Sequence, residues 1–255
     1  MTMLRIIPVL LADNRRLIKG AQFKNHKYIG DTTNAIKIFN EKEVDELILL
    51  DVTATNQNRE PDYGFLSEVS SEAFFPLGYG GGITSVEQVE SLMRLGIEKV
   101  VLGTSAFQNP QLVRDAVAAV GSQSVVVSMD YKNTLFRGLV VHVKNGKLNT
   151  GWSPLEYAKR MEDMGVGELI VTSIEREGTG RGYDLKTLSN LSEFLSIPIV
   201  ASGGAGKFPD FIDARDTGHV QAVAAGSMFI FYGPHRAVLI NYPSYETVIT
   251  KFSEN

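Results

Sequence analysis

The run Pro76-Leu77-Gly78-Tyr79-Gly80-Gly81-Gly82-Ile83-Thr84 has an echo in Pro198-Ile199-Val200-Ala201-Ser202-Gly203-Gly204-Ala205-Gly206, and this pair decides the fold. In each copy an apolar, strand-like stretch ends in glycines and leads into an amphipathic helical pattern. Such a turn aims backbone N–H groups and a helix N-terminus at one point, a common way to hold a phosphate. One Gly-Gly alone reads as a tight strand-to-helix turn. Two copies point to two anion sites.

The glycine runs belong to a longer repeat, because residues 46–107 lie over 168–229 at one constant shift with no gap. Glu46-Leu47-Ile48 meets Glu168-Leu169-Ile170, Asp62 meets Asp184, Gly81-Gly82 meets Gly203-Gly204, Gly96 meets Gly218, and Ser105 and Phe107 meet Ser227 and Phe229. Read as strand and helix in alternation, the doubled unit supplies eight strand–helix pairs. Eight parallel strands close, so the expected fold is an α/β (β/α)8 TIM barrel built from two duplicated half-barrels. Such a barrel uses about 250 residues. With 255 residues, 44% of them hydrophobic, and no linker, residues 1–255 read as a single domain.

Composition narrows the partners. The net charge of -4, with Lys and Arg scattered, offers no basic stripe for nucleic acid or an anionic membrane. There are no cysteines, hence no disulfides or thiolate chemistry. The first ten residues read as a strand rather than a leader, and no apolar run approaches the ~20 residues of a membrane span, so the expected location is cytoplasmic. His26, His142, His219 and His235 are dispersed and read as surface or core histidines, so neither a metal nor another cofactor is called for.

Strand 1 runs about Leu4 to Leu10, too continuously apolar to alternate, as in parallel strands covered on both faces. Residues 11–30 carry several Lys and Arg without helical periodicity and read as a mobile lid, with Lys19 placed to reach an anionic substrate. Helix 1 starts at Asp31-Thr32, with Ala35, Ile36, Ile38 and Phe39 inward. Strands 2 to 8 fall at about 46–51, 75–79, 99–102, 124–129, 168–172, 198–201 and 220–225. The Asn145-Gly146 pair between β-rich flanks reads as a hairpin inserted after strand 5. The tail from His235 reads as a last helix.

In barrels of this kind active groups come from the C-terminal ends of strands. Asp51, Asp130 and the Glu175-Arg176-Glu177 loop stand there, and a carboxylate so placed can exchange a proton or orient an amine. Asp130, which directly ends Val125-Val126-Val127-Ser128-Met129, is the foremost candidate. At the opposite end Arg5, Glu46, Lys99 and Glu168 begin strands 1, 2, 4 and 6. Four such charges can simply be solvated; turned inward as a ring they would be costly to bury and better suited to a gate.

The order Arg5-Ile6-Ile7-Pro8, Asp31 before a helix, Glu46-Leu47 to Asp51, Gly80-Gly81-Gly82-Ile83, Asp130, Thr172-Ser173-Ile174-Glu175-Arg176-Glu177-Gly178-Thr179 and Ala201-Ser202-Gly203-Gly204-Ala205-Gly206 resembles the HisF family, the cyclase subunit of imidazole glycerol phosphate synthase. The resemblance spans about residues 4–231. It implies a class-I glutaminase partner of the HisH type at the N-terminal face, ammonia passing through the barrel, and a small phosphorylated substrate at the top. It further implies that Arg5, Glu46, Lys99 and Glu168 form the ammonia gate. Gly81, Gly82, Gly103 and Thr104, with Gly203, Gly204, Gly226 and Ser227, would hold two phosphates. Asp130 would be one of two catalytic aspartates, with Asp51 and Glu177 shaping the site and Lys19 on the closing loop.

Three departures qualify that expectation. Leu11 stands where the family carries its strand-1 aspartate, Gly103 replaces an asparagine, and Glu175 and Glu177 replace aspartates. A missing general acid or base typically costs 10² to 10⁴ in rate. Ile7-Pro8-Val9-Leu10-Leu11, Asn40-Glu41-Lys42-Glu43-Val44-Asp45-Glu46-Leu47 and His235-Arg236-Ala237-Val238-Leu239-Ile240 are similar to a branch of HisF-like proteins found with surface-polysaccharide genes. That branch implies nitrogen supply for acetamidino modification of a sugar. Two alternatives stay open at this point: an ordinary cyclase with its acid displaced to Asp13, and a non-catalytic partner that only activates the glutaminase. A phosphosugar isomerase of the same barrel has no use for a gate.

Overall fold

The computed structural model describes residues 4–253 and closes into a barrel of eight parallel strands. The strands are β1 (Arg5–Asp13), β2 (Leu47–Asp51), β3 (Leu77–Gly80), β4 (Lys99–Leu102), β5 (Val125–Thr134), β6 (Glu168–Ser173), β7 (Ile199–Ser202) and β8 (Ala222–Ala225). Each pairs with its successor, and β8 returns to β1 with Arg5 beside Ala222 and Pro8 beside Ala225. The helices between strands bury their apolar stripes against the barrel wall. The helix Thr32–Glu41 shows how sequence fixes one of them: Asp31 caps it by accepting from the Asn34 N–H at 2.9 Å, and Ala35, Ile36 and Phe39 face inward.

Alternation along each strand divides the apolar residues in two. One set packs between strands and helices. The other, Ile7, Ile48, Val101, Val126, Ile170, Val200, Ala222 and Ala224, fills the barrel's interior with its own cluster. Side chains of alternate strands interleave there as layers, so the barrel is a packed core rather than an open tube. Above and below this plug the inward positions become polar, which is where the chemistry can lie.

The repeat is visible in the backbone. Asp62 and Asp184 cap helices by accepting from Phe65 and Thr187, and the paired glycines all have positive φ: Gly81 130°, Gly82 71°, Gly203 79°, Gly204 126°. The constant shift, however, fails after the second glycine run. β4 corresponds to β8 one residue later than expected, and the left-handed position after the preceding helix is Gly96 (φ 92°) in one half and His219 (φ 56°) in the other, not Gly218. The turn before the helix Pro209–Asp216 is one residue longer than that before Val86–Arg94, and turns absorb such insertions without disturbing the strands.

Two connecting segments differ from expectation. Residues 11–30 are not an irregular lid: β1 runs on to Asp13, and Arg16–Ala21 folds back on it and pairs with Lys24–Asp31 as an antiparallel hairpin. Its turn takes positive φ at Gln22 and Phe23, Leu17 and Ile18 are buried, and Gln22 is tied to the backbone carbonyls of Glu175 and Glu177 at 2.8 and 3.0 Å. The tail from His235 first pairs Ala237–Val238 with Phe231–Tyr232 and becomes helical only at Tyr245–Ser253. The hairpin after β5 matches the sequence pattern, with Gly138–Val143 antiparallel to β5 and positive φ at Lys144, Asn145 and Gly146. No helix among the described residues is long and apolar enough to cross a membrane.

Candidate functional site at the C-terminal ends of the strands

A cavity of about 160 Å³ opens at the C-terminal ends of the strands, and its floor is the inner cluster, with Val9, Leu50, Val101, Ile170 and Ala224. Asp51, Asp130, Glu177 and Lys19 all line it. They arrive from four elements: the end of β2, the middle of the long β5, the loop after β6, and the hairpin after β1.

Their electrostatic situations differ. Lys19 and Glu177 are both buried and form an ion pair that pins the hairpin to the β6 loop across the cavity mouth. Asp51 is committed to its own turn: its carboxylate accepts from the Thr53 and Ala54 N–H groups, each at 3.0 Å, and from Arg59 at 3.2 Å. Among the described residues no cation forms an ion pair with Asp130. Burial pushes its carboxyl up to about 7, and hydrogen bonds from Thr172 and Ser128 only partly oppose this. A group balanced near neutral pH in a cleft is suited to proton transfer.

The glycine cradles are of unequal readiness. In the second, Gly203, Gly204, Gly226 and Ser227 all line the cavity. The Ser227 hydroxyl oxygen is buried and lacks a hydrogen-bond partner among the described residues. Gly204 must be glycine, since a Cβ there would stand 2.1 Å from the Gly182 carbonyl oxygen. The Lys19 ammonium lies over Gly226, 3.1 Å from where a Cβ would be. These are the donors an anion needs. In the first cradle Gly81, Gly103 and Thr104 line the cavity, but Gly82 is not among the lining residues and its N–H faces the Thr55 hydroxyl at 3.4 Å. The Thr104 hydroxyl accepts from the Lys144 N–H at 3.0 Å. Thus the hairpin after β5 already occupies part of this cradle.

The other four expected residues lie at the opposite end and come together. Arg5 reaches Glu46 at 2.7 Å and also bonds Glu168, while Lys99 reaches Glu46 at 2.8 Å and Glu168 at 3.0 Å. Positive and negative groups alternate around the axis, closing the barrel floor beneath the inner cluster. Both carboxylates are buried; the two cations retain some exposure.

Leu11 also lines the cavity, so β1 presents an apolar side chain to it. Asp13 does not line it: it accepts from the Thr53 hydroxyl at 2.9 Å, beside the Asp51 turn. Glu175 accepts from the Asn133 N–H at 3.2 Å, outside the cavity. Among the lining residues that sequence reasoning missed are the titratable His26 and His142. Their dispersion in the chain hid them, yet the pairing of Gly138–Val143 with β5 carried the signal, since that register sets His142 opposite Asp130. No group of three or more His, Cys, Asp or Glu among the described residues is arranged to hold a metal.

Comparison with known proteins agrees with this layout. A model of the family described as histidine biosynthesis protein matches residues 5–235. A Pseudomonas aeruginosa protein provisionally named imidazole glycerol phosphate synthase subunit hisF2 is 47% identical over 239 residues, 94% of this chain and 95% of its own. A Leptospira interrogans protein provisionally named HisF subunit is 41% identical, over 95% and 96% of the two chains. The imidazole glycerol phosphate synthase subunit HisF of Alkaliphilus metalliredigens is 37% identical, over 88% and 89%. With a doubled barrel, paired glycine turns and relatives matched over nearly their whole length, the chain belongs to the histidine biosynthesis protein family, as a HisF-type barrel.

Proposed function

We propose that this chain is an ammonia-using synthase subunit, which receives ammonia from a class-I glutaminase docked on its N-terminal face and delivers it to a substrate held at the top. The observation that carries the reading is the closed ring of Arg5, Glu46, Lys99 and Glu168 beneath an apolar interior whose far side is the cavity floor. Ammonia is small and neutral and can cross an apolar layer that would penalise ammonium. The ring admits it only when an ion pair swings aside. The substrate is phosphorylated and anchored by Gly203, Gly204, Gly226 and Ser227, with the first cradle, Gly81, Gly82, Gly103 and Thr104, for its other phosphate, and Lys19 closes over it. Asp130 is the proton-transfer group, with Asp51 and Glu177 shaping its surroundings; the work is done in the cytoplasm.

The finer assignment follows from Leu11. An apolar residue where β1 meets the cavity cannot exchange protons, which favours altered chemistry, and we read the product as an acetamidino sugar for surface polysaccharide rather than a histidine precursor. The relatives' names favour the second reading, an imidazole glycerol phosphate synthase cyclase. The two separate in one assay: the purified barrel is given ammonium chloride and the histidine-pathway ribulosyl bisphosphate. A rate at least ~10²-fold below that of a family cyclase with its strand-1 aspartate is expected. An equal rate would overturn the sugar assignment while leaving ammonia use intact. A third outcome, a barrel that stimulates a glutaminase while Asp130→Asn changes no product, would instead make it a non-catalytic partner.

A further inference from the structure

We propose that His142 is the proton acceptor of the ammonia-addition step, facing Asp130 as the proton donor, so that the cavity carries its acid–base pair on β5 and the hairpin after it. The inference rests on the reading that ammonia reaches this cavity. Asp130 and His142 are directly opposed in the antiparallel pairing of β5 with Gly138–Val143. Opposed residues project to the same face with Cβ atoms roughly 4.5–5.5 Å apart. Both side chains line the cavity, and His142 is buried.

The imidazole is held in one tautomer. Its Nδ1 lies 2.9 Å from the Val140 carbonyl oxygen. A carbonyl only accepts, so the hydrogen sits on Nδ1 and Nε2 is left with a lone pair. The other ionisable groups that line the cavity are otherwise engaged. Lys19 and Glu177 neutralise each other, Asp51 is held by Arg59 and by backbone N–H groups, and His26 stands on the exposed outer strand of the hairpin, Lys24–Asp31. Asp130 and His142 remain.

The groups facing the pair set its protonation. Burial holds the His142 ring below the usual histidine range, the Val140 carbonyl opposes this, and Lys132 on β5 lowers it further while its ammonium bonds the Gly146 carbonyl at 2.9 Å. Burial raises Asp130, and the Glu177 charge adds to that rise. Near neutral pH the arrangement therefore sets a neutral imidazole opposite a carboxyl that still holds its proton about half the time, the reverse of an ordinary Asp–His ion pair.

That arrangement fits addition of ammonia to a carbonyl substrate. The nitrogen lone pair forms the C–N bond, the C=O π pair moves to oxygen, and that oxygen takes the Asp130 proton. The new ammonium centre gives one proton to His142 Nε2, leaving a neutral carbinolamine. The imidazolium then returns a proton to the Asp130 carboxylate, and the pair is reset with no net proton change.

The test has two arms. In ¹⁵N-histidine NMR of the intact chain from pH 5 to 9, His142 is expected as the Nδ1–H tautomer. In wild type the ring shifts are also expected to show a second inflection near pH 7, from ionisation of the opposed Asp130 carboxyl, and that inflection is expected to vanish in Asp130→Asn. An Nε2–H tautomer, or a titration indifferent to Asp130, overturns the proposal. In the second arm, turnover of the ribulosyl bisphosphate probe with ammonium chloride is compared for wild type and His142→Gln. A kcat lower by about 10²–10⁴ with KM nearly constant, and loss of the acidic limb of the pH profile, is expected; an unchanged kcat and limb overturns it. If no protein turns over the probe, that substrate is the wrong one, and the NMR arm alone supports or overturns the His142–Asp130 pair.

Discussion

Lys99→Met removes the cation that joins Glu46 and Glu168, leaving Arg5 alone to neutralise two buried carboxylates. Removing one partner of a fully buried pair costs about 3–5 kcal/mol, because the other charge stays desolvated. Here the Lys99 and Arg5 side chains keep 18% and 35% exposure, so water screens part of the loss. A destabilisation of about 2–3 kcal/mol is expected, or roughly 5–10 °C in Tm for a chain of this size. Urea and thermal midpoints at fixed ionic strength measure it. A loss below about 0.5 kcal/mol, the value of an exposed pair, would refute the ring as a desolvated unit. The companion variant replaces all four residues together, Arg5→Met, Glu46→Leu, Lys99→Met and Glu168→Leu. Since apolar groups of similar volume often replace a buried ionic cluster without loss, it is expected to be at least as stable as Lys99→Met. If it retains wild-type stability but turns over with free ammonia and not with glutamine, the ring exists for passage rather than for folding.

Two further outcomes follow from single residues. The Asp130 carboxyl, raised from 3.8 to about 7 on folding, keeps a proton that the unfolded chain releases between those values, so its penalty on stability grows as pH rises through that window. Asp130→Asn should therefore raise the unfolding free energy from urea titration more at pH 8 than at pH 5, by about 2 kcal/mol at most after allowance for cavity water; an equal gain at both would show the carboxyl to be ordinary. Gly204→Ala drives a methyl against the Gly182 carbonyl and should cost about 2–3 kcal/mol, whereas Gly103→Ala, with open space around its Cβ, should stay within about 0.5 kcal/mol. Comparable losses in the two variants would contradict the unequal packing of the cradles.

The linear order of residues determined the barrel, because a strand buried on both faces must be continuously apolar and a phosphate turn needs glycine; Val125 to Met129 and Gly203-Gly204 satisfy those demands locally. Asp130 was legible because it ends the apolar run Val125 to Met129, although the strand itself continues to Thr134 and pairs with the hairpin. Tertiary structure alone decided which distant groups meet. The ring joins residues up to 163 positions apart, and no local pattern distinguishes four solvated charges from four that share one axis. Likewise, the order of residues 11–30 comes from long-range anchors, Leu17 and Ile18 in the core and Lys19 on Glu177, which local periodicity does not register. His142 shows the division most clearly: its chain neighbours read as a plain hairpin, and only the strand register sets it opposite Asp130 on the cavity wall, where desolvation changes what both groups can do.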